Sequence, residues 1–150
     1  MPRKKSQPLG PAPRASSDVR RRMQRQRRTG TGPEMVLRSL VWAAGLRYRV
    51  DARPVATFRR RADLVFASAR VAVFVDGCFW HGCKRHRGSV AGLAAWWKEK
   101  IMRNRLRDRE TDRILTREGW KVIRLWEHDI SRDAPACASR VMQVVRSRVG

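Results

Sequence analysis

Acidic side chains are scarce in this chain: 13 Asp and Glu stand against 35 Lys and Arg, for a net charge of +22 over 150 residues. Such an excess says little about fold, but it selects a polyanionic partner, nucleic acid before an anionic membrane. Cysteine and histidine are rarer still, with three of each. No stretch approaches the roughly 18 apolar residues that a membrane span needs. The opening MPRKKSQPLGPAPR has no apolar core, so no secretory signal is expected. A cytoplasmic, nucleoid-associated protein follows as the expectation, with thiols kept reduced. Its three cysteines are then free thiols or metal ligands rather than disulfides. No internal repeat is visible.

What is present falls into two parts. Residues 1–32 are rich in Pro, Ser, Gly and Arg, with ten basic residues and one acid, Asp18. They show no apolar periodicity and read as a flexible basic arm, either a solubilising tail or a segment that orders on DNA. Residues 33–150 carry the folded pattern. Pro33 suits a first helical turn, Leu37, Leu40, Val41 and Ala44 follow at helical spacing, and Gly45 ends the run. LRYRV (46–50), ADLVF (62–66) and VAVFVD (71–76) read as strands, with ASAR as the turn between the last two. Residues 92–118 read as one long helix, WKVIRLW (120–126) as a strand and 133–148 as a final helix with Val141, Val144 and Val145 inward. This order predicts an α/β fold: a central mixed sheet flanked by helices.

Four of the six Cys and His residues crowd into VAVFVDGCFWHGCKRH (71–86). Cys78, Cys83 and His86 supply three soft or borderline ligands on one loop, and a closed structural zinc site needs four. His81, His128 and Cys137 remain as candidates for the fourth. His128 follows the strand ending at Trp126, as Cys78 follows the strand ending at Asp76, so neighbouring strands would bring it to the loop. Zinc would supply ~10–16 kcal/mol of apparent folding energy to a loop poor in apolar residues. The alternative is ordinary buried thiols and surface imidazoles. If zinc takes His128, His81 is left for chemistry.

Acids are informative in so basic a chain, because each repels phosphate. Asp63 starts one strand and Asp76 ends the next, at like ends, where they could share a hard cation such as Mg2+. Taken singly, each is readily a turn, cap or salt-bridge residue. Glu34 sits in the first turn of the first helix, where the helix dipole alone could explain it. Together the acids resemble a metal-dependent nuclease core. That core normally carries Lys two residues after the second acid, and here the position is Cys78. On the long helix, with Trp97 at zero and about 100° per residue, Leu93, Ile101 and Leu115 share a stripe with Asn104 and Asp108. Two readings are open: a satisfied buried polar pair, or Asp108 orienting the imidazole of His81.

VDGCFWHGCxxH, then WxxKIxxNxxRD (97–108), then GWxVxxxWE (119–127) together resemble the very short patch repair (Vsr) mismatch endonucleases, over roughly Met23 to Ile130. The resemblance implies a restriction-endonuclease-like core with a structural zinc site. It implies a Mg2+-dependent nick in one strand, 5′ to the thymine of a T:G mismatch left by deamination of 5-methylcytosine. Asp63 matches the principal metal-ligating acid and Asp76 a site-lining position that is Asp or His. Glu34 matches an acid acting through the metal's water shell, and His81 with Asp108 a catalytic pair. Phe79 and Trp80 match an aromatic wedge, Met23 an apolar residue entering from the opposite side, and Asn104 a DNA contact. Cys78, Cys83, His86 and His128 match the zinc ligands. The implied partners are mismatched duplex DNA and MutL-type repair factors, and the implied state is monomeric. The sequence departs from the family at Ala62, where Pro is usual, at His128, where Cys is frequent, and in DARPVATFRRR, which lacks the expected Gly. The rival readings are a restriction-type nuclease on the same core and a non-catalytic zinc-stabilised DNA-binding module.

Overall fold

The computed structural model describes residues 32–77 and 95–149. In chain order these form α1 (Gly32–Ala43), β1 (Arg49–Ala52), β2 (Ala62–Phe66), β3 (Val71–Asp76), α2 (Ala95–Arg117), β4 (Lys121–Trp126), α3 (Glu127–Arg132) and α4 (Ala134–Val149). The arm expected over 1–32 lies outside the described residues, but for Gly32.

The sheet runs in the order β1-β2-β3-β4. β1 with β2 and β2 with β3 are antiparallel, while β3 and β4 are parallel. The antiparallel pair β2–β3 needs only the Ala67–Arg70 turn, closed by the Arg70 N–H donating to Ala67 O, with Arg70 at φ 53°. A parallel pair needs a crossover, and the chain between β3 and β4 contains the long helix α2. The expected mixed sheet flanked by helices is therefore observed.

Alternation along the strands sorts the core into two parts. Leu64, Phe66, Val71, Val73, Ile123 and Leu125 pack with Leu37 and Val41 of α1 and with Ala138, Val141 and Val145 of α4. Val144 is only partly buried and borders this cluster. Ala62, Val65, Ala72 and Phe74 pack instead with Leu115 of α2. β3 is thus buried on both faces, as its near-continuous apolar run predicts.

Two elements differ from expectation. The strand expected at 46–50 is found at Arg49–Ala52. α1 ends at Ala43, and Gly45 at φ +90° lets the Leu46 N–H return to Val41 O at 3.3 Å, so the first residues after it form the cap rather than a ladder. Leu46 and Tyr48 still pack against the core, which explains their apolar character. The short helix α3 has too few residues for periodicity to reveal. Among the described residues, no helix is long and apolar enough to cross a membrane.

Candidate active site

Three carboxylates converge at one end of the sheet. Asp63 enters β2 as Asp76 leaves the antiparallel β3, which puts both at the same edge. The Val75 N–H donates to Asp63 Oδ2 at 2.7 Å, fixing the carboxylate against its neighbour strand. Burial raises the Asp63 pKa from the ordinary carboxylate range to about 7, and the nearby charges of Glu34 and Asp76 add to the rise. The Val75 N–H and the Arg38 guanidinium oppose it. Like charges are being held together in a partly desolvated place.

Glu34 contributes from α1. It is 1% exposed, and its Oε1 accepts from Arg38 Nη2 at 2.5 Å, one turn on. A carboxylate buried to that degree is more than a helix-dipole residue, whose benefit requires no burial. Among the described residues, buried Arg38 Nε meets no hydrogen-bond partner.

Asp76 is 6% exposed and meets a cation from the adjacent strand. Arg124 Nη1 donates to both its oxygens, at 3.0 and 3.2 Å. Register explains the meeting: Phe74 pairs with Arg124 across β3 and β4, and Phe74, Asp76 and Arg124 point to one sheet face. The guanidinium carbon lies 4.3 Å from the Phe74 ring centroid. Its Nε donates to both oxygens of Asp112 on α2, at 2.8 and 2.9 Å. Nη1 also stands 3.6 Å from Asp108 Oδ1. Burial disfavours the Arg124 charge, but Asp112, Asp76 and Asp108 outweigh it and raise the pKa.

α2 presents the expected inward stripe from Trp97 onward, and Leu93 lies outside the described residues. Trp97, Ile101 and Leu115 are buried, while Asn104 and Asp108 are half-buried along it. Among the described residues Asp108 has Arg124 as a charge partner. His81, to which the sequence offers it as a partner, lies outside the described residues.

His128 follows β4 in the first turn of α3. β3 and β4 are neighbours, with Asp76 opposite Trp126, so His128 starts from the same sheet end as Asp76 and Gly77. Its ring stacks on Trp126 at 6.2 Å, and Nε2 lies 3.2 Å from Asp129 Oδ1. The other expected zinc ligands, Cys78, Cys83 and His86, lie outside the described residues, as do Met23, Phe79 and Trp80. Among the described residues no three His, Cys, Asp or Glu groups are arranged to hold a metal. Cys137 is partly buried against the main core, and burial raises its pKa.

Chemically, Glu34, Asp63 and Asp76 offer hard carboxylate oxygens, the donor type that Mg2+ takes in preference to a soft metal, though the three do not stand as a ready-made ligand cluster and Glu34 and Asp76 are paired with Arg38 and Arg124. Sequence reading missed Arg38, Asp112 and Arg124. A signal existed for Arg124: it is a charged residue in mid-strand between Ile123 and Leu125, both buried.

Comparison with known proteins gives a consistent picture. A family model described as DNA mismatch endonuclease Vsr matches residues 15–87. The type II nicking enzyme V.NaeI of Lentzea aerocolonigenes is 44% identical over 118 residues, 77% of this chain and 71% of that one. The type II nicking enzyme V.NmeDIP of Neisseria meningitidis serogroup C is 39% identical over 130 residues, 85% and 86% of the two chains. The DNA mismatch endonuclease Vsr of Escherichia coli K12 is 37% identical over 98 residues, 65% and 61% of the two chains. In three dimensions the fold is similar to the catalytic domain of the homing endonuclease I-Bth0305I, with a TM-score of 0.53 at 12% identity, covering 81% of this chain and all of that one.

Proposed function

The chain belongs to the Vsr family of DNA endonucleases, and on that premise we propose that it nicks one strand of duplex DNA 5′ to the thymine of a T:G mismatch, using Mg2+ held at Asp63 and Asp76. The observation that carries this reading is the placement of Asp63 and Asp76 at one edge of the sheet with the buried carboxylate of Glu34 nearby, where burial first and the charges of Glu34 and Asp76 after it raise the Asp63 pKa. A DNA-binding module has no use for three acids gathered where phosphate must approach. A nuclease does, because a divalent cation turns that charge into affinity for both metal and phosphate.

Each residue then has a task. Asp63 and Asp76 would hold the metal, and Glu34 would act on water bound beside it. Bound Mg2+ supplies Lewis-acid stabilisation of charge on the leaving oxygen. His81 positions the attacking water or takes its proton, oriented by Asp108. The water oxygen bonds to phosphorus as the phosphodiester P–O bond breaks. Phe79, Trp80 and Met23 wedge into the base stack, and Asn104 contacts the DNA. Unstacking a base step costs a few kcal/mol, and less at a mismatch, so the wedge itself favours T:G over T:A. Cys78, Cys83, His86 and His128 would hold a structural zinc, tying together the stretch of sequence that includes Phe79, Trp80 and His81. Lys and Arg contacts to phosphate supply affinity without sequence information.

Paired T:G and T:A duplexes of one sequence, incubated with Mg2+, test this directly. Nicking of the T-containing strand in the T:G duplex alone is expected. Equal cutting of both duplexes, or cutting of both strands, would replace it with the second reading, a restriction-like nuclease acting at an intact sequence. That reading draws on the relatives named type II nicking enzymes.

A further inference from the structure

We infer that Arg124 is a positioning residue of the nuclease site, fixing Asp76 from the neighbouring strand and tying it to the long helix. The inference rests on the endonuclease activity and on Asp76 serving in it.

The geometry is that of a fork with assigned prongs. Nε and Nη2 grip Asp112, at 2.8 Å each to Oδ1. That grip leaves Nη1 for the two oxygens of Asp76 at 3.0 and 3.2 Å, with Asp108 Oδ1 at 3.6 Å. Nη2 also reaches the Asp108 carbonyl at 3.4 Å. The Phe74 ring underlies the guanidinium and restricts its plane. A planar group held at three points has one orientation, and Asp76 inherits it.

Two physical points argue that this arrangement serves more than stability. Desolvating a guanidinium and its carboxylates consumes most of the Coulomb gain, so apolar packing would stabilise the β4–α2 contact as well. The charge also lies where the nuclease pattern is incomplete. The core type has Lys two residues after its second acid, and here Cys78 occupies that position. Arg124 brings positive charge to the same acid by way of strand pairing, since it lies opposite Phe74, two residues before Asp76. Its donors are taken by the Asp112 and Asp76 carboxylates and the Asp108 carbonyl, so it acts through Asp76 rather than on the phosphate.

The test uses the full-length protein in four variants: Arg124→Met, Arg124→Lys, Asp76→Asn, and Arg124→Met combined with Asp76→Asn. Single-turnover nicking is measured with DNA affinity in EDTA and with Tm. Arg124→Met should slow nicking about 10–100-fold, the usual effect of losing a residue that orients a metal-site ligand. DNA affinity in EDTA should change less than about 3-fold, because the group does not reach phosphate. The loss should persist well below the Tm of the variant. Arg124→Lys should recover part of the rate, since it restores charge but not the fork. The double variant should be no slower than Asp76→Asn alone. Full recovery of rate on cooling would overturn the inference, as would losses that multiply in the double variant. Rates are read relative to wild type on whichever duplex the wild type cuts, so failure of the T:G reading leaves this result intact.

Discussion

Removing the charge at Asp63 should stabilise the metal-free protein at neutral pH, although it destroys a proposed metal ligand. The carboxyl is raised from 3.8 in the unfolded chain to about 7 in the folded one, chiefly by burial and then by Glu34 and Asp76. Each tenfold change in proton affinity is worth about 1.4 kcal/mol, so the folded state loses up to ~4 kcal/mol once both states are ionised. The sign follows from proton counting. Below about pH 4 both states carry the proton and Asp63 adds no pH dependence. Between about 4 and 7 the folded protein holds a proton that the unfolded chain has released, so stability falls as pH rises. Above about 7 the loss is complete. Asp63→Asn keeps an oxygen able to accept the Val75 N–H and removes the titration. Urea unfolding of both proteins in EDTA from pH 4 to 8 isolates the effect, because titrations shared by both cancel in the difference. The variant should gain on the wild type as pH rises, by up to ~4 kcal/mol at pH 8. Adding Mg2+ at pH 8 should narrow that gap by stabilising the wild type alone. A difference independent of pH would refute the reasoning, because Asp63 would then bind its proton equally well in both states.

Three further outcomes are expected. His81→Ala should abolish nicking while leaving the circular dichroism spectrum and Tm unchanged; undiminished nicking would remove His81 from the chemistry. His86→Ala should lower Tm and bound zinc together, read by thermal unfolding and elemental analysis, whereas full zinc content would exclude His86 as a ligand. DNA affinity in EDTA should fall steeply with salt, each phosphate contact contributing about −0.9 to the log–log slope on duplex DNA, and a flat response would contradict charge-led binding.

Strands whose burial comes from a ladder were legible, and segments buried for other reasons were not. ADLVF and VAVFVD coincide with β2 and β3 because alternation and two-faced burial leave a direct imprint on sequence. Of residues 46–50 only Arg49 and Val50 join the ladder; Leu46, in the helix cap, and Tyr48, just before the strand, owe their apolar character to core packing, and pattern cannot separate the two causes. α3 escaped because its six residues begin after Trp126, which makes no side-chain cap, so neither period nor cap marks the start.

The same logic divides the site. Acids stood out because the chain holds so few, and the selection that keeps acids off a DNA-facing surface makes the remaining ones meaningful. Arg124 was hidden by the reverse condition: among 35 Lys and Arg, one more arginine carries no compositional signal. Its role depends on register, which sets Arg124 beside Phe74 and within reach of Asp76, and on the α2 turn that offers Asp108 and Asp112. Sequence assigned Asp76 to a metal and Asp108 to a histidine as separate tasks. The structure links them through one guanidinium, so a change at either carboxylate alters the electrostatic environment of the other. Substitutions at Asp76 and Asp108 are therefore expected to be non-additive, even if one residue serves the metal and the other the attacking water.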